Sequence, residues 1–455
     1  MIELDAARIA EAAGARVVRR GRDEWPERVV VDSRDAGPGD LFVGLAGERT
    51  DGGAYAPLAL AAGAWGVLLS DEHARDLEPA GDDAGWVLAA PDPLRGLQGV
   101  AREWRRKLSC RVVGVTGSTG KTSVKDICHA MLPFRVHASP ENYNTEIGLP
   151  LAVLAAPRET EVLVLEMAMR GMGQIAELCA IAEPDVGAIT NIGPVHLELL
   201  GTLEAIAEAK AEIFAGLRDD GIAVIPEDAD ALEPHIHELL RTISFGPGGD
   251  VFTHSASVED GWTTASVGTE HGDRVFRFPF PEAHNLLNAL AAIAIGVALD
   301  APLGAMAERA PGIVFSRLRG ELLEAGGVLI VNDCYNANPI SMRAALDHLA
   351  SIEVPGRRVA VLGDMLELGP EAEVYHREIG AHARDLGLGP IVGVGELAAA
   401  YAPDEWVADA RAAIPVVGGL VSSGDAVLVK GSRSVGLELV SDELVARLGD
   451  GGQGA

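Results

Sequence analysis

The sequence contains few aromatic residues and few cations. Aromatic side chains make up 4% of the 455 residues, whereas hydrophobic residues make up 48%. We therefore expect cores built mainly from Ala, Val and Leu. The chain has 37 Lys and Arg against 67 Asp and Glu, which gives a formal net charge of −30. A chain this acidic repels nucleic acid backbones and anionic membranes, so neither is an expected partner.

Cysteine is scarce as well, and the spacing of the four cysteines is not typical of metal ligands. We expect reduced thiols in a cytoplasmic protein. The acidic N-terminus does not match a signal peptide. Residues 52–70 carry no charge but include Pro57 and many Ala and Gly, so they predict a buried helix and a strand rather than a membrane span.

Strand and helix patterns alternate along the chain, which predicts an α/β protein with a mainly parallel central sheet. Two to four domains are expected at this length. The pattern favours three domains, over residues 1–108, 109–314 and 315–455. Residues 250–280 are rich in Thr, Val and Gly with alternating character, and they predict a β-meander within the second domain.

The most informative motif is a glycine-rich turn over residues 116–123, which lies between a β-branched run and a helical pattern. Such a turn cradles phosphates with backbone N–H groups at a helix N-terminus. Lys121 would reach the outer phosphates, and the Thr122 hydroxyl would hold Mg²⁺. A strict phosphate loop has Gly where this chain has Val115, so the motif predicts a variant loop.

Two polar residues follow other predicted strands, at the strand ends where open α/β sheets bind ligands. Glu166 ends the apolar run 162–165, and its carboxylate suits Mg²⁺. His196 follows the strand predicted over residues 186–190, and its imidazole could act as a metal ligand or as a general acid or base. A solvated acid and a structural histidine remain the alternatives.

Lys210 lies on the apolar side of a helix predicted over residues 202–217, four residues from both Ile206 and Phe214. Burying an ammonium is costly, so this lysine should be snorkelling, paired or chemically altered.

Three further segments are polar in a way that suits binding. Asn285 and Asn288 open a predicted helix and suit recognition of a base edge or capping. The segment 332–339 suits a binding loop or a turn, and the segment 430–433 suits a carboxylate or phosphate site or a solvated turn.

Together these motifs resemble those of the Mur ligase family over essentially the whole chain. The discriminating segments are Asn332–Pro339, Val361–Gly369 and Val429–Arg433. The family consists of three-domain, ATP-dependent, amide-forming ligases of peptidoglycan synthesis. The resemblance implies a small α/β domain for the UDP end of a substrate, a central phosphate-loop domain for ATP and a C-terminal Rossmann-like domain.

The resemblance also implies ligands and residue roles. The implied substrates are ATP, UDP-N-acetylmuramoyl-tripeptide and D-alanyl-D-alanine, used by a monomer in the bacterial cytoplasm. The implied catalytic residues are Lys121, Glu166, His196 and Lys210, of which Lys210 would carry a CO₂-derived carbamate and would bind Mg²⁺ with Thr122, Glu166 and His196. The implied nucleotide contacts are Gly117, Ser118, Thr119, Gly120, Lys121, Thr122, Ser123, Asn285, Asn288, Arg319 and Asp333. The implied contacts to the other substrates are Ser33, Arg34, Asn142, Asn144, Thr145, Asn336, Asn338, Lys430 and Arg433.

Three other functions compete with this interpretation. A sibling ligase or a folylpolyglutamate synthase is disfavoured by the segments 333–339 and 363–369. A small-molecule kinase would not need Lys210 on a buried face, and a binding module would not need the whole catalytic set. The chain departs from the family pattern at Gly53, where histidine is frequent, and at Pro226, where asparagine is usual. Because Arg319 and Asp333 lie in a different domain from Lys121, we expect the third domain to close over bound ATP.

Overall fold

The computed structural model describes residues 2–47, 49–77, 85–140 and 142–450. Three α/β regions follow one another along the chain, each built on its own sheet, and we name them the N-terminal, central and C-terminal regions. The predicted α/β class and the mainly parallel central sheet are confirmed. The boundaries predicted at residues 108 and 314 stay predictions.

The N-terminal region has a five-stranded sheet in the order β1-β5-β4-β3-β2. The β1 edge is antiparallel, and the other neighbours are parallel. The strands are β1 (Arg16–Arg19), β2 (Arg28–Val30), β3 (Asp40–Val43), β4 (Gly66–Ser70) and β5 (Trp86–Ala90). The helices are α1 (Ala6–Ala12), α2 (Ala56–Ala61), α3 (Asp71–Asp76) and α4 (Pro93–Lys107). The uncharged stretch at residues 52–70 therefore forms a helix and a strand, as predicted.

The central region has a six-stranded, wholly parallel sheet in the order β11-β10-β9-β6-β8-β7. Its strands are β6 (Arg111–Thr116), β7 (Val136–Ala138), β8 (Val162–Glu166), β9 (Val186–Ile189), β10 (Ile222–Pro226) and β11 (Arg241–Phe245). Its helices are α5 (Lys121–Met131), α6 (Gly148–Ala155), α7 (Gln174–Ala182), α8 (Leu197–Leu200), α9 (Leu203–Ala215), α10 (Ala283–Ala298) and α11 (Leu303–Arg309). Because helices cover both faces, the strands read as continuous apolar runs rather than alternating ones.

A three-stranded antiparallel sheet joins the central region between β11 and α10. Its strands are β12 (Phe252–Glu259), β13 (Trp262–Thr269) and β14 (Gly272–Phe278). This is the predicted meander. One face packs into the same apolar cluster as α5 and α10, through buried residues such as Phe276 and Phe278.

The C-terminal region has a six-stranded sheet in the order β15-β16-β20-β17-β18-β19. The β15–β16 pair is antiparallel, and the remaining pairs are parallel. The strands are β15 (Glu321–Ala325), β16 (Val328–Asn332), β17 (Arg358–Gly363), β18 (Ile391–Val394), β19 (Glu405–Val407) and β20 (Ala426–Lys430). The helices are α12 (Pro339–Ser351), α13 (Ala372–Asp385), α14 (Ala410–Leu420) and α15 (Glu438–Asp450).

The cores consist mostly of aliphatic side chains, as the low aromatic content predicted. One cluster joins α1 and α4 of the N-terminal region to the near face of the central sheet, with Trp104 and Leu163 among its members. Two further clusters fill the two faces of the C-terminal sheet. No helix in the described ranges is long and apolar enough to cross a membrane.

Candidate functional site

A cavity of about 1430 Å³ lies where the central and C-terminal regions meet. It is lined by the carboxyl ends of β8, β9, β10 and β20, and by the loops that follow them. The predicted site residues that line it are Ser118, Thr119, Gly120, Lys121, Thr122, Ser123, Asn142, Asn144, Thr145, Glu166, His196, Asn285, Asn288, Arg319, Asp333, Asn336, Asn338, Lys430 and Arg433. Most residues that sequence reasoning singled out therefore surround one space.

The glycine-rich turn connects β6 to the N-terminus of α5, as the motif predicted. Gly117 has a φ of +145°, and a Cβ there would lie 1.9 Å from Thr190 Oγ1. Gly120 has a φ of +77° and is the N-cap residue directly before α5. Val115, at the position where a strict phosphate loop has glycine, is still inside β6 and pairs with Glu166 and Ala188. The turn begins later than in the strict loop, so a glycine at Val115 is not needed.

Lys121 folds back over this turn, and its Nζ donates to the Gly117 carbonyl at 2.8 Å. Burial lowers the pKa of the Lys121 ammonium, Glu166 opposes that change, and Arg319 from the C-terminal region adds to it. Cations from two regions are therefore close enough to repel each other. Such a pair is suited to a polyanion lying between them.

Glu166 is the last residue of β8 and is only 2% exposed. Its carboxylate accepts hydrogen bonds from Thr122 Oγ1 at 2.6 Å and from Asn144 Nδ2 at 2.7 Å. The register of β8 against β6 places the acid beside the phosphate loop. Within the described ranges no group of three or more His, Cys, Asp or Glu side chains is arranged to hold a metal ion.

His196 follows β9 and has a positive φ of 55°. Its Nδ1 lies 2.5 Å from Glu367 Oε2, so a carboxylate of the C-terminal region orients the imidazole. Glu367 also lies 3.6 Å from Arg170 Nε, and the hydrogen bond from His196 lowers the pKa of the Glu367 carboxyl. Sequence reasoning did not select Glu367 as a site residue, although it lies within the segment 361–369 used for the resemblance.

Lys210 lies on α9 and is 2% exposed, as its place on the apolar side predicted. Burial lowers the pKa of its ammonium well below the usual range, and the nearby charge of Lys121 lowers it further. The part of the chain that the structure describes provides no hydrogen-bond or ion-pair partner for Lys210. The side chain does not line the cavity itself.

Asn285 and Asn288 lie in the first turns of α10, and neither side chain caps the helix. Asn285 Nδ2 donates to Glu282 Oε2 at 3.2 Å, and Asn288 Nδ2 donates to Asn285 Oδ1 at 3.2 Å. Asn288 Oδ1 lies against Gly120, because a Cβ on that glycine would be only 2.4 Å away. The two amides therefore form a short ladder that ends at the phosphate loop.

The C-terminal region contributes cations to the opposite wall. Lys430 is 2% exposed, and its Nζ donates to Asp333 Oδ2 at 2.7 Å and to the Asn336 carbonyl at 2.9 Å. The guanidinium of Arg319 lies 3.9 Å from the centre of the Tyr335 ring. Tyr335 is a residue that sequence reasoning missed, although it lies inside the segment 332–339.

Three of the predicted substrate and nucleotide contacts do not line the cavity. Ser33 and Arg34 belong to the N-terminal region, and neither lines the cavity. The Arg34 side chain is 86% exposed and pairs with Asp32. Gly117 is likewise not a lining residue, although it shapes the loop. Pro226, where the chain departs from the family pattern, ends β10 and does line the cavity.

Comparisons with known proteins agree with this architecture. Residues 115–296 match the Mur ligase middle domain, and residues 318–433 match the family described as Mur ligase, glutamate ligase domain. The chain is 36% identical over 431 residues to the UDP-N-acetylmuramoyl-tripeptide–D-alanyl-D-alanine ligase of Bacillus subtilis (strain 168), covering 92% of this chain and 93% of that protein. The chain belongs to the Mur ligase family.

Solved Mur ligase structures share the fold over nearly the whole length. A crystal structure of MurF from Acinetobacter baumannii has a TM-score of 0.86 at 28% identity, covering 97% of this chain and 98% of that one. MurF ligase from Thermotoga maritima in complex with ADP has a TM-score of 0.80 at 31% identity, covering 92% and 97%. The predicted Mur ligase membership and three-domain architecture are confirmed.

Proposed function

We propose that this Mur ligase joins D-alanyl-D-alanine to UDP-N-acetylmuramoyl-tripeptide in an ATP-dependent reaction that forms an amide bond. The observation that carries the proposal is a single cavity lined by the phosphate loop on one side and by Arg319, Asp333 and Lys430 on the other. A phosphate donor and an incoming amine can meet there. The similarity to the Bacillus subtilis ligase over 92% of the chain supports this choice of substrates.

The polar residues beside the phosphate loop fit Mg²⁺. Mg²⁺ is usually held by one or two carboxylates together with waters and substrate phosphates rather than by a full protein cage. Glu166 and the Thr122 hydroxyl, 2.6 Å apart, provide such a pair next to the loop. We propose that Thr122, Glu166 and His196 hold the ion, which would neutralise charge on the phosphates of ATP.

The buried amine of Lys210 is suited to carbamylation by CO₂. Reaction of an amine with CO₂ requires the neutral amine, and burial lowers the pKa of Lys210 well below its usual range. The resulting carbamate would be an anion in place of a buried cation that has no partner among the described residues. We propose that this carbamate would help Thr122, Glu166 and His196 hold Mg²⁺, and that its negative charge would be balanced in part by the nearby Lys121.

The proposed reaction has two steps. The terminal carboxylate of the tripeptide attacks the γ-phosphorus of ATP, which gives an acyl phosphate and ADP. The amine of D-alanyl-D-alanine then attacks the acyl carbon through a tetrahedral intermediate, and inorganic phosphate leaves. The first step brings two anions together, so charge neutralisation by Lys121 and Arg319 should contribute most to the rate.

The remaining residues would position substrates. Asn142, Asn144 and Thr145 line the cavity beside Glu166 and would hold the muramoyl peptide. Asn336, Asn338, Lys430 and Arg433 would hold the incoming dipeptide. Ser33 and Arg34 would contact the UDP end, away from the cavity. We further propose that the enzyme is a monomer of the bacterial cytoplasm, with domain boundaries at residues 108 and 314 and closure of the C-terminal region over ATP.

One assay tests the ligase function. The purified chain is mixed with ATP, Mg²⁺, UDP-N-acetylmuramoyl-tripeptide and D-alanyl-D-alanine, and product mass and phosphate release are measured together. We expect one phosphate per pentapeptide product, with no product when the dipeptide is left out. A phosphorylated sugar would indicate a kinase, and nucleotide binding without ADP formation would indicate a binding module. Either result would contradict the proposal.

A further inference from the structure

A buried histidine of the C-terminal region meets a buried acid of the central region at the cavity wall. His348 lies in the last turn of α12 and is 8% exposed, and Glu282 precedes α10 and is 9% exposed. His348 Nε2 lies 3.3 Å from Glu282 Oε1. Neither ring nitrogen of His348 has an aligned hydrogen-bond partner within the described ranges. A buried polar group of this kind is costly and calls for an explanation.

Glu282 links this contact to the phosphate loop. Its second carboxylate oxygen accepts the Asn285 amide at 3.2 Å, and Asn285 in turn accepts the Asn288 amide at 3.2 Å. Asn288 packs against Gly120, the N-cap residue of α5. A continuous row of side chains therefore runs from α12 to the point where phosphates are expected to bind.

The other charged groups around this row do not replace the contact. His284 lies two residues after Glu282, and its side chain is exposed. Desolvation by the surrounding protein lowers the pKa of its imidazole, so His284 is not a ready cation there. Lys430 is held by Asp333 and the Asn336 carbonyl. Of these neighbours, His348 is the one whose ring nitrogen approaches Glu282 from the C-terminal region.

We propose that His348 is a positioning residue that couples the C-terminal region to nucleotide binding through Glu282. The contact holds the Glu282 carboxylate, and the carboxylate fixes the Asn285–Asn288 ladder against Gly120. Nucleotide affinity is therefore higher when α12 is docked on the central region. By thermodynamic linkage, bound nucleotide favours docking of α12 by the same factor. This inference depends on the ATP site proposed above.

The test is a double-mutant cycle on nucleotide binding. The dissociation constant of ADP with Mg²⁺ is measured by titration calorimetry for the wild type, His348→Leu, Glu282→Gln and the double variant. We expect each single change to weaken binding about fivefold or more, and the double variant to be little worse than either one. We also expect His348→Leu to raise the KM for ATP while the KM for D-alanyl-D-alanine stays within about twofold. His348→Gln, which retains a donor, should recover part of the affinity.

A neighbouring pair provides the matched control. His382 on α13 contacts Asp347 on α12 at 2.7 Å, entirely within the C-terminal region. His382→Leu should leave ADP binding unchanged. Wild-type ADP affinity in folded His348→Leu, or independent additive effects of the two single changes, would overturn the coupling. A failure of the proposed ligase function is a separate result. It would appear as the absence of pentapeptide product from the wild type, independent of the ADP affinities measured by calorimetry.

Discussion

Lys210 and Lys430 are both 2% exposed, yet their surroundings differ. Lys430 has a carboxylate oxygen at 2.7 Å and a backbone carbonyl at 2.9 Å. Lys210 has neither kind of partner among the described residues, and burial lowers the pKa of its ammonium. An ammonium is tolerated in a protein interior when charge and hydrogen bonds compensate for lost water. By this criterion the buried ammonium of Lys430 is compensated by its partners, and that of Lys210 is not.

The two lysines differ in what they contribute to the stability of the fold. Lys430, at the end of β20, supports the loop that follows the neighbouring strand β16, because it binds Asp333 and the Asn336 carbonyl. Lys210 makes no such contribution in its unmodified form, and it lies near a second cation, Lys121. A residue that costs stability and supports no neighbour is a candidate for chemistry. The proposed carbamylation would remove that cost by converting the buried cation into an anion.

The largest effect is expected for removal of Lys210. Lys210→Ala should lower turnover about a thousandfold, equivalent to about 4 kcal/mol of transition-state stabilisation, because the proposed anion is lost from the site. Short carboxylates such as acetate should restore part of the rate. Circular dichroism should report an unchanged fold. Steady-state phosphate release measures the effect, and wild-type turnover in Lys210→Ala would refute the carbamate role.

Removing the partner of Lys430 should make that lysine resemble Lys210. Asp333→Ala leaves the ammonium buried with one carbonyl, so we expect the free energy of unfolding of the C-terminal region to fall by about 3 kcal/mol. Urea unfolding followed by hydrogen exchange of the C-terminal strands provides the measurement. Arg433→Ala is a suitable control, since its pair with Glu438 at 2.9 Å is more exposed. Equal losses in the two variants would show that the burial of Lys430 carries little energy.

A third change reverses the sign of the usual mutational effect. Lys210→Met in buffer free of CO₂ should raise the free energy of unfolding by about 1–2 kcal/mol, because an uncompensated amine is replaced by an apolar chain. Lys430→Met should instead lower the free energy of unfolding.

The stability of the wild type should also depend on pH. The pKa of Lys210 is lowered in the folded chain, so between the folded-state pKa and 10.5 the unfolded state binds one more proton than the folded state. Wild-type stability should therefore rise with pH across that window, more steeply than that of Lys210→Met.

Local sequence patterns could predict one side of the site. Thr122 and Glu166 meet because a phosphate loop and a strand-end acid follow two adjacent parallel strands, and the spacing of Lys210 from Ile206 and Phe214 was enough to predict its burial. These inferences use only strand ends and helical periodicity. They hold because each concerns one element and its neighbours.

Contacts between the regions could not be read from such patterns. His196 and Glu367 lie 171 residues apart, and their pairing depends on how the C-terminal sheet docks on the central one. The same holds for His348 and Glu282. Asn285 and Asn288 matched a helix cap in sequence, but tertiary packing turned their amides toward Glu282 and toward each other. Periodicity determines which face is buried, and docking determines which partner it meets.

The smallest effect concerns an imidazole whose pKa is lowered by burial. His376 is fully buried, donates from Nδ1 to the Ala372 carbonyl at 2.6 Å and accepts from the Met365 amide at 2.9 Å. Burial lowers the pKa of this ring, so the unfolded chain takes up a proton first as pH falls. The contribution of this group to the free energy of unfolding should be complete above pH 6.5 and should decline below it, by at most about 1.4 kcal/mol per pH unit.

His376→Gln should be less stable than the wild type at pH 7.5, but its free energy of unfolding should fall less on acidification. Urea unfolding at pH 7.5 and at pH 5.5 measures both effects. Equal acid sensitivity of the two proteins would mean that burial of His376 does not lower the pKa of its ring in the folded chain.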